Sequence, residues 1–146
     1  ITLIVAFAAC KPKQKQPFGR NMTLENRQWV LRELNGKAYT GGLVLEQKPG
    51  IHFDAKDNTW GANVGCNQIN GMYTTQDDMI KLQQMAMTKM ACPEEFRETE
   101  FVQMLDKTNR FSLTSKKIRK KDFYTLLLFA DQVPVARLEM DTTGVW

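Results

Sequence analysis

The sequence predicts a mainly β domain with one α-helix, a curved antiparallel sheet closing toward a small barrel, and the helix following the last of the three cysteines. Three observations predict it. From Trp29 onward, short apolar stretches are punctuated by glycine, asparagine and aspartate, which is the pattern of strands and turns. At Pro93 that pattern gives way to apolar residues at helical spacing. A chain of 146 residues is long enough for one core, and no linker-like segment interrupts it after residue 22.

The strands follow in order. QWVLREL is the first, and Asn35-Gly36 reverses it, since both residue types accept the positive φ of a tight turn. Gly41-Gly42 marks another turn before LVLEQ. In IHFDA, Ile51 and Phe53 alternate with His52 and Asp54, the period of a half-buried strand, and Lys56, Asp57 and Asn58 supply the reversal. The two glycines of TWGANVG suit a bulge or a sharp bend more than a flat sheet.

GCNQINGMY, residues 65–73, reads as a turn between two strands. Gly65 and Gly71 allow positive φ or close backbone approach, Asn67 and Asn70 can bond their own backbone, and Tyr73 gives a strand an aromatic with a polar tip. Asp77-Asp78 turns the chain into MIKLQQMAMTKM, long enough for one or two strands. Pro93 suits the first helical position and Glu94-Glu95 the positive end. Phe96, Phe101, Met104 and Leu105 then give an apolar face through to about Lys107.

The chain then returns to strands: RFSLT, a basic turn KKIRKKD, FYTLLLFA and VPVARLEM, the last two joined at Asp131-Gln132. The continuous apolar run of FYTLLLFA suits a strand covered on both faces or helped by the helix. Pro134, which cannot donate to a ladder, belongs at a strand start or edge. Closing the sheet removes edges that would otherwise pair with neighbours.

Residues 1–9, ITLIVAFAA, are apolar and end in two alanines. About nine residues are too few to span a bilayer, so the segment is expected to be the later part of a secretory signal. With Cys10 it resembles the lipobox of bacterial lipoproteins, whose cysteine becomes the first mature residue and carries the lipid; Ala8 and Ala9 fit, and Phe7 stands where leucine is usual. Residues 10–22 are expected to be the lipidated cysteine and a flexible tether. Lys11, Lys13 and Lys15 alternate there with Pro12, Gln14 and Gln16, too polar to bury a core. The domain proper is expected over residues 23–146.

Setting Cys10 aside for lipid leaves Cys66 and Cys92, an even pair in an oxidising compartment. A bridge would close a loop of about 26 residues and stabilise by about 3.5 kcal/mol on the chain-entropy model. Two reduced, buried thiols are the alternative, because the sequence does not show how near their Cα atoms come.

Catalysis by a thiol needs a base, and the chain has a single histidine, His52, on the polar phase of its strand. A serine triad would need the same histidine, and Cys66, Cys92 and His52 lack the close paired spacing of structural zinc sites. Met85, Met87 and Met90 near Cys92 could be soft ligands for Cu(I), but methionine as adaptable core filler is the reading preferred. No metal or cofactor is expected. A net charge of +4, with 42% hydrophobic and 25% charged residues, is that of a soluble globular domain and too mild to imply nucleic acid. Lys116, Lys117, Arg119, Lys120 and Lys121 are read as a solvated hairpin tip, with acidic glycans or lipid headgroups as remaining partners. Asp77-Asp78 and Glu94-Glu95 are accounted for by a turn and a helix start.

Together, GCNQINGMY and TKMAC, with Trp29 in QWVLREL leading to Asn35-Gly36 and with PEEFRETEFVQML after the second cysteine, resemble the META domain, the HslJ-like family, over roughly residues 27 to 140. The resemblance implies a small β-barrel-like fold with a helix, of lipocalin-like build, found in envelope proteins that are often lipoproteins. It implies Gly65, Cys66, Asn67, Gly71, Tyr73, Thr88, Ala91 and Cys92 as motif positions, none of them catalytic, and an association with heat or envelope stress and drug tolerance.

The function expected is therefore that of a non-enzymatic, membrane-anchored lipoprotein of the bacterial envelope. Held by lipid on Cys10 at the outer membrane, facing the periplasm or the cell surface, it would bind an envelope protein or a small apolar ligand. It is expected to be monomeric and to take no nucleic acid. The alternative is an inhibitor module acting on a secreted hydrolase.

Overall fold

The computed structural model describes residues 23–41 and 48–142. The signal segment, Cys10, the tether up to residue 22, Gly42 and the predicted strand LVLEQ lie outside the described residues. Nine strands are present: β1 (Gln28–Leu34), β2 (Lys37–Ala38), β3 (Gly50–Asp54), β4 (Thr59–Asn63), β5 (Gln68–Gln76), β6 (Met79–Met87), β7 (Arg110–Ile118), β8 (Lys121–Ala130) and β9 (Val133–Met140), with α1 (Glu98–Lys107) between β6 and β7. Among the described residues no helix is long and apolar enough to cross a membrane.

The fold is mainly β, as expected, and its sheet forms a ring. Each strand from β3 to β8 pairs antiparallel with the next, and β1 pairs with both β3 and β9. Trp29 is thus opposite Ile51 on one side and Met140 on the other. The weakest joint is β6 to β7, where a single register pair, Met79↔Arg110, is assigned. The Ile80 N–H donates to Asn109 O at 3.1 Å and the Phe111 N–H to Asp78 O at 2.9 Å beside it. The helix connects these two strands and packs against β6 and β8.

The ring interior is filled by side chains. Trp29, Phe53, Trp60 and Phe101 are each 2% or less exposed, packed with Leu31, Leu34, Ile51, Ile69, Leu126, Leu128 and Leu138. Large rings of this kind contribute about 2–3 kcal/mol each on burial. The two indoles also need acceptors, and find them: Trp29 Nε1 donates to Leu24 O at 2.8 Å and Trp60 Nε1 to Met72 O at 3.0 Å. Phe101, Met104 and Leu105 form the buried stripe of α1, three and four residues apart as a helix face requires.

Most turns lie where the residue types place them. Asn35 (φ 49°) and Gly36 (φ 76°) make the first hairpin, and Asp77 and Asp131 adopt left-handed φ at theirs. Pro134 is the second residue of β9, beside a register shift at Leu128/Phe129.

Several expectations are corrected. The helix begins at Glu98: Pro93 precedes a single 3-10 turn, Glu94–Phe96, and Arg97 then takes a left-handed conformation (φ 49°, ψ 35°) that breaks the helical path. Bonds to Glu100 and Leu34 O hold the Arg97 side chain in place there. Of the bulge or sharp bend expected of TWGANVG, the bend is present at Gly65 (φ 109°), and β4 has no bulge, pairing in regular register with both neighbours. Gly61 instead lies beneath the His52 imidazole, where a Cβ would come within 2.5 Å of the ring. GCNQINGMY is not a turn throughout: Gly65 (φ 109°) bends the chain, and β5 begins at Gln68. The basic stretch is mostly strand, with only Arg119 and Lys120 reversing the chain. Met85 and Met90 are 65% and 59% exposed, so they are not core filler, whereas Met87 packs against the core.

Candidate functional site

Strand β5 begins where its neighbour ends. The last ladder pair at that end is Ile69↔Met87, after which the Thr88 N–H still donates to Gln68 O at 3.0 Å and the Gln68 N–H to Thr88 Oγ1 at 2.9 Å. One step further the ladder is continued by a side chain. The Asn67 amide accepts from the Met90 N–H at 2.7 Å through Oδ1 and donates to Met90 O at 3.1 Å through Nδ2. An Asn amide presents the same donor and acceptor as a peptide group, so it serves as one more rung.

Asn67 is 2% exposed, and its polar atoms are partnered as burial demands. Oδ1 also accepts from Thr88 Oγ1 at 2.9 Å. Nδ2 also donates to Glu98 Oε1 at 2.6 Å and lies 3.0 Å from Cys92 Sγ. The Asn67 N–H donates to Glu98 Oε2 at 2.9 Å. Glu98 opens α1, where a carboxylate also suits the positive helix end.

The disulfide closes over this arrangement. Cys66 and Cys92 are bridged, with Cα atoms 5.8 Å apart, so of the two alternatives for these thiols the structure has the bridge. Cys66, Cys92 and Glu98 are a group whose ligand atoms lie within 4.8 Å of one another. The two sulfurs are bonded to each other, though, and a bridged sulfur is neither a thiolate ligand nor a nucleophile.

Beside the bridge, the β1–β2 hairpin is tied to the start of α1. The buried Tyr39 hydroxyl lies 2.9 Å from Val64 O and 3.0 Å from Phe96 O, sharing its proton between these carbonyls. Burial pushes Tyr39 up to about 12, Arg97 opposing and Glu98 adding to the rise. Arg97 donates through Nε and Nη2 to both Glu100 oxygens, at 2.8 and 2.7 Å, and Asn35 Nδ2 donates to the same carboxylate at 2.9 Å. The Arg97 hydrogen bonds, then those of Asn35, lower Glu100 to about 2 against the cost of burial.

The expected motif residues thus divide. Gly65, Cys66, Asn67, Thr88 and Cys92 converge on one knot. Ala91 is exposed, and its carbonyl oxygen is 3.8 Å from Cys66 Sγ, a contact only because that sulfur carries no proton. Gly71 and Tyr73 lie further along β5. A Cβ on Gly71 would overlap the Gln83 carbonyl and reach 2.8 Å from Trp60 Nε1. Tyr73 stands edge-on to Phe53, centroids 5.1 Å apart, and its hydroxyl donates to Glu25 Oε1 at 3.0 Å. Asn70, expected to bond its own backbone, is an exposed strand residue. Cys10 lies outside the described residues. Sequence reasoning passed over Tyr39, Glu98 and the pairing of Arg97 with Glu100. The one available signal was acidic residues continuing into the helix after Glu95.

The knot organises structure rather than offering a reactive atom. An open groove of about 620 Å3 lies elsewhere, lined by Val30, Ile118, Phe123, Tyr124 and Met140 among others. Two ion pairs border it, Arg32 with Glu139 at 3.1 Å and Lys48 with Asp141 at 2.7 Å. Arg27 lies over the Tyr124 ring, 5.1 Å from its centroid.

Comparison with known proteins bears on the whole domain. The META domain family model matches residues 22–139. No curated protein matches the chain. A solved structure, the NMR structure of a protein from Burkholderia xenovorans, is similar with a TM-score of 0.56 and 19% identity, covering 82% of this chain and 84% of that one. At that identity the likeness concerns the fold alone.

Proposed function

The chain belongs to the META domain family, and from that premise we propose that it is a non-enzymatic lipoprotein of the bacterial envelope. In this reading lipid on Cys10 holds it at the outer membrane, facing the periplasm or the cell surface. It acts in heat or envelope stress or drug tolerance by binding a protein or a small apolar ligand. Support for the anchor is Ala8-Ala9-Cys10 after an apolar run and before a lysine- and proline-bearing tether.

The observation that carries the binding part is the position of the open space. Trp29, Phe53, Trp60 and Phe101 fill the inside of the ring, so a partner would meet the outside. There the groove of about 620 Å3 combines apolar Val30, Ile118 and Phe123 with the paired charges of Arg32 and Glu139. Apolar lining with a few fixed polar groups is what a small ligand or a peptide segment needs. The bridged state of Cys66 and Cys92 suits an oxidising compartment.

Two measurements test this reading. Mass spectrometry of the membrane-extracted protein should find lipid on the peptide that begins at Cys10; an unmodified peptide sinks the anchor. Titration with an environment-sensitive apolar fluorophore should show saturable binding that Phe123→Ala and Val30→Ser both weaken. Binding indifferent to both substitutions removes the groove.

A further inference from the structure

The β7–β8 hairpin carries Lys116, Lys117, Arg119, Lys120 and Lys121 around its turn, with Asp122 the one acid between residues 116 and 123. The reversal is made by Arg119 (φ 49°) and Lys120 (φ 67°), both left-handed, the geometry that continues the strand twist to the end of a hairpin. Because β7 meets β6 only at Met79↔Arg110, its far half is held by β8 alone. Cross-strand pairs share a face, as do residues two apart. The pairs Lys116↔Phe123 and Ile118↔Lys121 therefore place two cations and two apolar side chains on one side of the tip.

Ile118 and Phe123 are 44% and 40% exposed, and the Lys121 ammonium lies 5.8 Å from the Phe123 ring centroid. None of the five cations enters an ion pair among the described residues, although Arg32, Arg97, Arg110 and Arg137 all do. Ile118, Phe123 and Lys116 also line the outer groove described above, so this face of the tip is apolar and cationic together. A soluble polyanion would satisfy the charges and leave the apolar pair in water. A bilayer with anionic headgroups satisfies both, taking cations at the phosphates and apolar side chains just below them.

We propose that the β7–β8 tip docks on an anionic membrane surface, with Lys116, Lys117, Arg119, Lys120 and Lys121 at the headgroups and Ile118 and Phe123 entering the acyl boundary. This goes beyond the anchoring reading and does not rest on it. The test uses the full chain carrying Cys10→Ala, so lipidation and tip docking fail separately.

Co-sedimentation is measured with vesicles of phosphatidylcholine alone and with one third phosphatidylglycerol. The Cys10→Ala chain should prefer the anionic vesicles, and added salt should weaken that binding. Lys116→Gln, Lys117→Gln, Lys120→Gln and Lys121→Gln together should weaken it by up to about 600-fold, about fivefold for each of the four cations. Ile118→Ser with Phe123→Ser, at unchanged charge, should weaken it at least about fivefold. Equal binding by the charge-removed variant overturns the proposal, as does equal binding to uncharged vesicles. Loss on charge removal with no effect of the serine pair reduces the tip to a patch for any polyanion and overturns it too. Thermal unfolding confirms that the variants are folded. In otherwise unaltered Cys10→Ala protein, Phe123→Trp should be quenched by brominated acyl chains, and absence of quenching overturns the proposal independently.

Discussion

Asn67 binds both the N–H and the carbonyl oxygen of Met90, at 2.7 and 3.1 Å, so a single side chain stands in for a rung of the sheet. It does this from a buried position directly after a bridged cysteine. Asn67→Ala should lower stability by about 1–3 kcal/mol, because Met90, Thr88 and Glu98 all lose the buried Asn67 amide as a partner. Asn67→Asp keeps the shape but puts a second carboxylate against Glu98. Its instability should ease as pH falls through the carboxylate range, whereas that of Asn67→Ala should not. Urea unfolding at neutral and mildly acid pH checks both.

Cys66→Ser with Cys92→Ser should cost about 3.5 kcal/mol, the chain-entropy value for the loop the bridge closes. The remaining hydrogen bonds of Asn67 should keep the domain folded in buffer, with a lower urea midpoint. A midpoint equal to that of the parent would show that the bridge does not restrict the unfolded chain.

Two strand glycines separate backbone crowding from side-chain crowding. At Gly71 a Cβ meets the Gln83 carbonyl, which the ladder fixes, so Gly71→Ala should destabilise by about 2–3 kcal/mol. At Gly61 it meets the imidazole of exposed His52, which can swing away, so Gly61→Ala should cost less than about 1 kcal/mol. Equal losses in thermal unfolding would contradict the distinction.

Glu100 gives the acid limb of stability a specific source. Arg97 and Asn35 hold its folded value at about 2, below the ordinary 4.5. The stabilisation is therefore present above 4.5 and lost as pH falls toward about 2. Glu100→Gln should lower stability at neutral pH and flatten its decline across that window, as followed by unfolding midpoints.

Tyr39 acts at the other end. Its folded value of about 12 lies above the ordinary 10.0, so stability is full below 10.0 and declines as pH rises toward about 12. Tyr73, raised by burial and by its bond to Glu25, adds to the same decline. Tyr39→Phe should flatten part of the alkaline limb while giving up the hydroxyl's contacts with Val64 O and Phe96 O.

Local chemistry was legible in the sequence wherever one residue type decides the outcome. Asn35-Gly36 turns because both residues accept positive φ, and the alternation of Ile51 and Phe53 gives a half-buried strand. The bridge was foreseen as one of two states. The rest depends on partners distant in sequence. The helix starts late because Arg97 is drawn to Leu34 O and Glu100, a competition that the favourable signals at Pro93 and Glu94 do not reveal. Asn67 looked like a turn residue bonding locally, and its real partner stands 23 positions away. Met85 looked apolar enough for a core, yet it is the residue skipped where the β5–β6 register shifts, with Asn70 opposite Ala86 and Gly71 opposite Gln84. Composition alone does not show where a register shifts.

The neighbouring of β1 and β9 also governs how the domain comes into being. Trp29 and Leu31 find their partners in Met140 and Leu138, the last residues of the fold to be synthesised. Until those residues emerge, a growing chain presents Leu31 and Leu34 on a strand with one side unpaired. Folding to the closed state thus waits for β9, and is slowed by contacts between the first and the last strand of the domain. A truncation that removes β9 yields an open, adhesive sheet in place of a smaller domain.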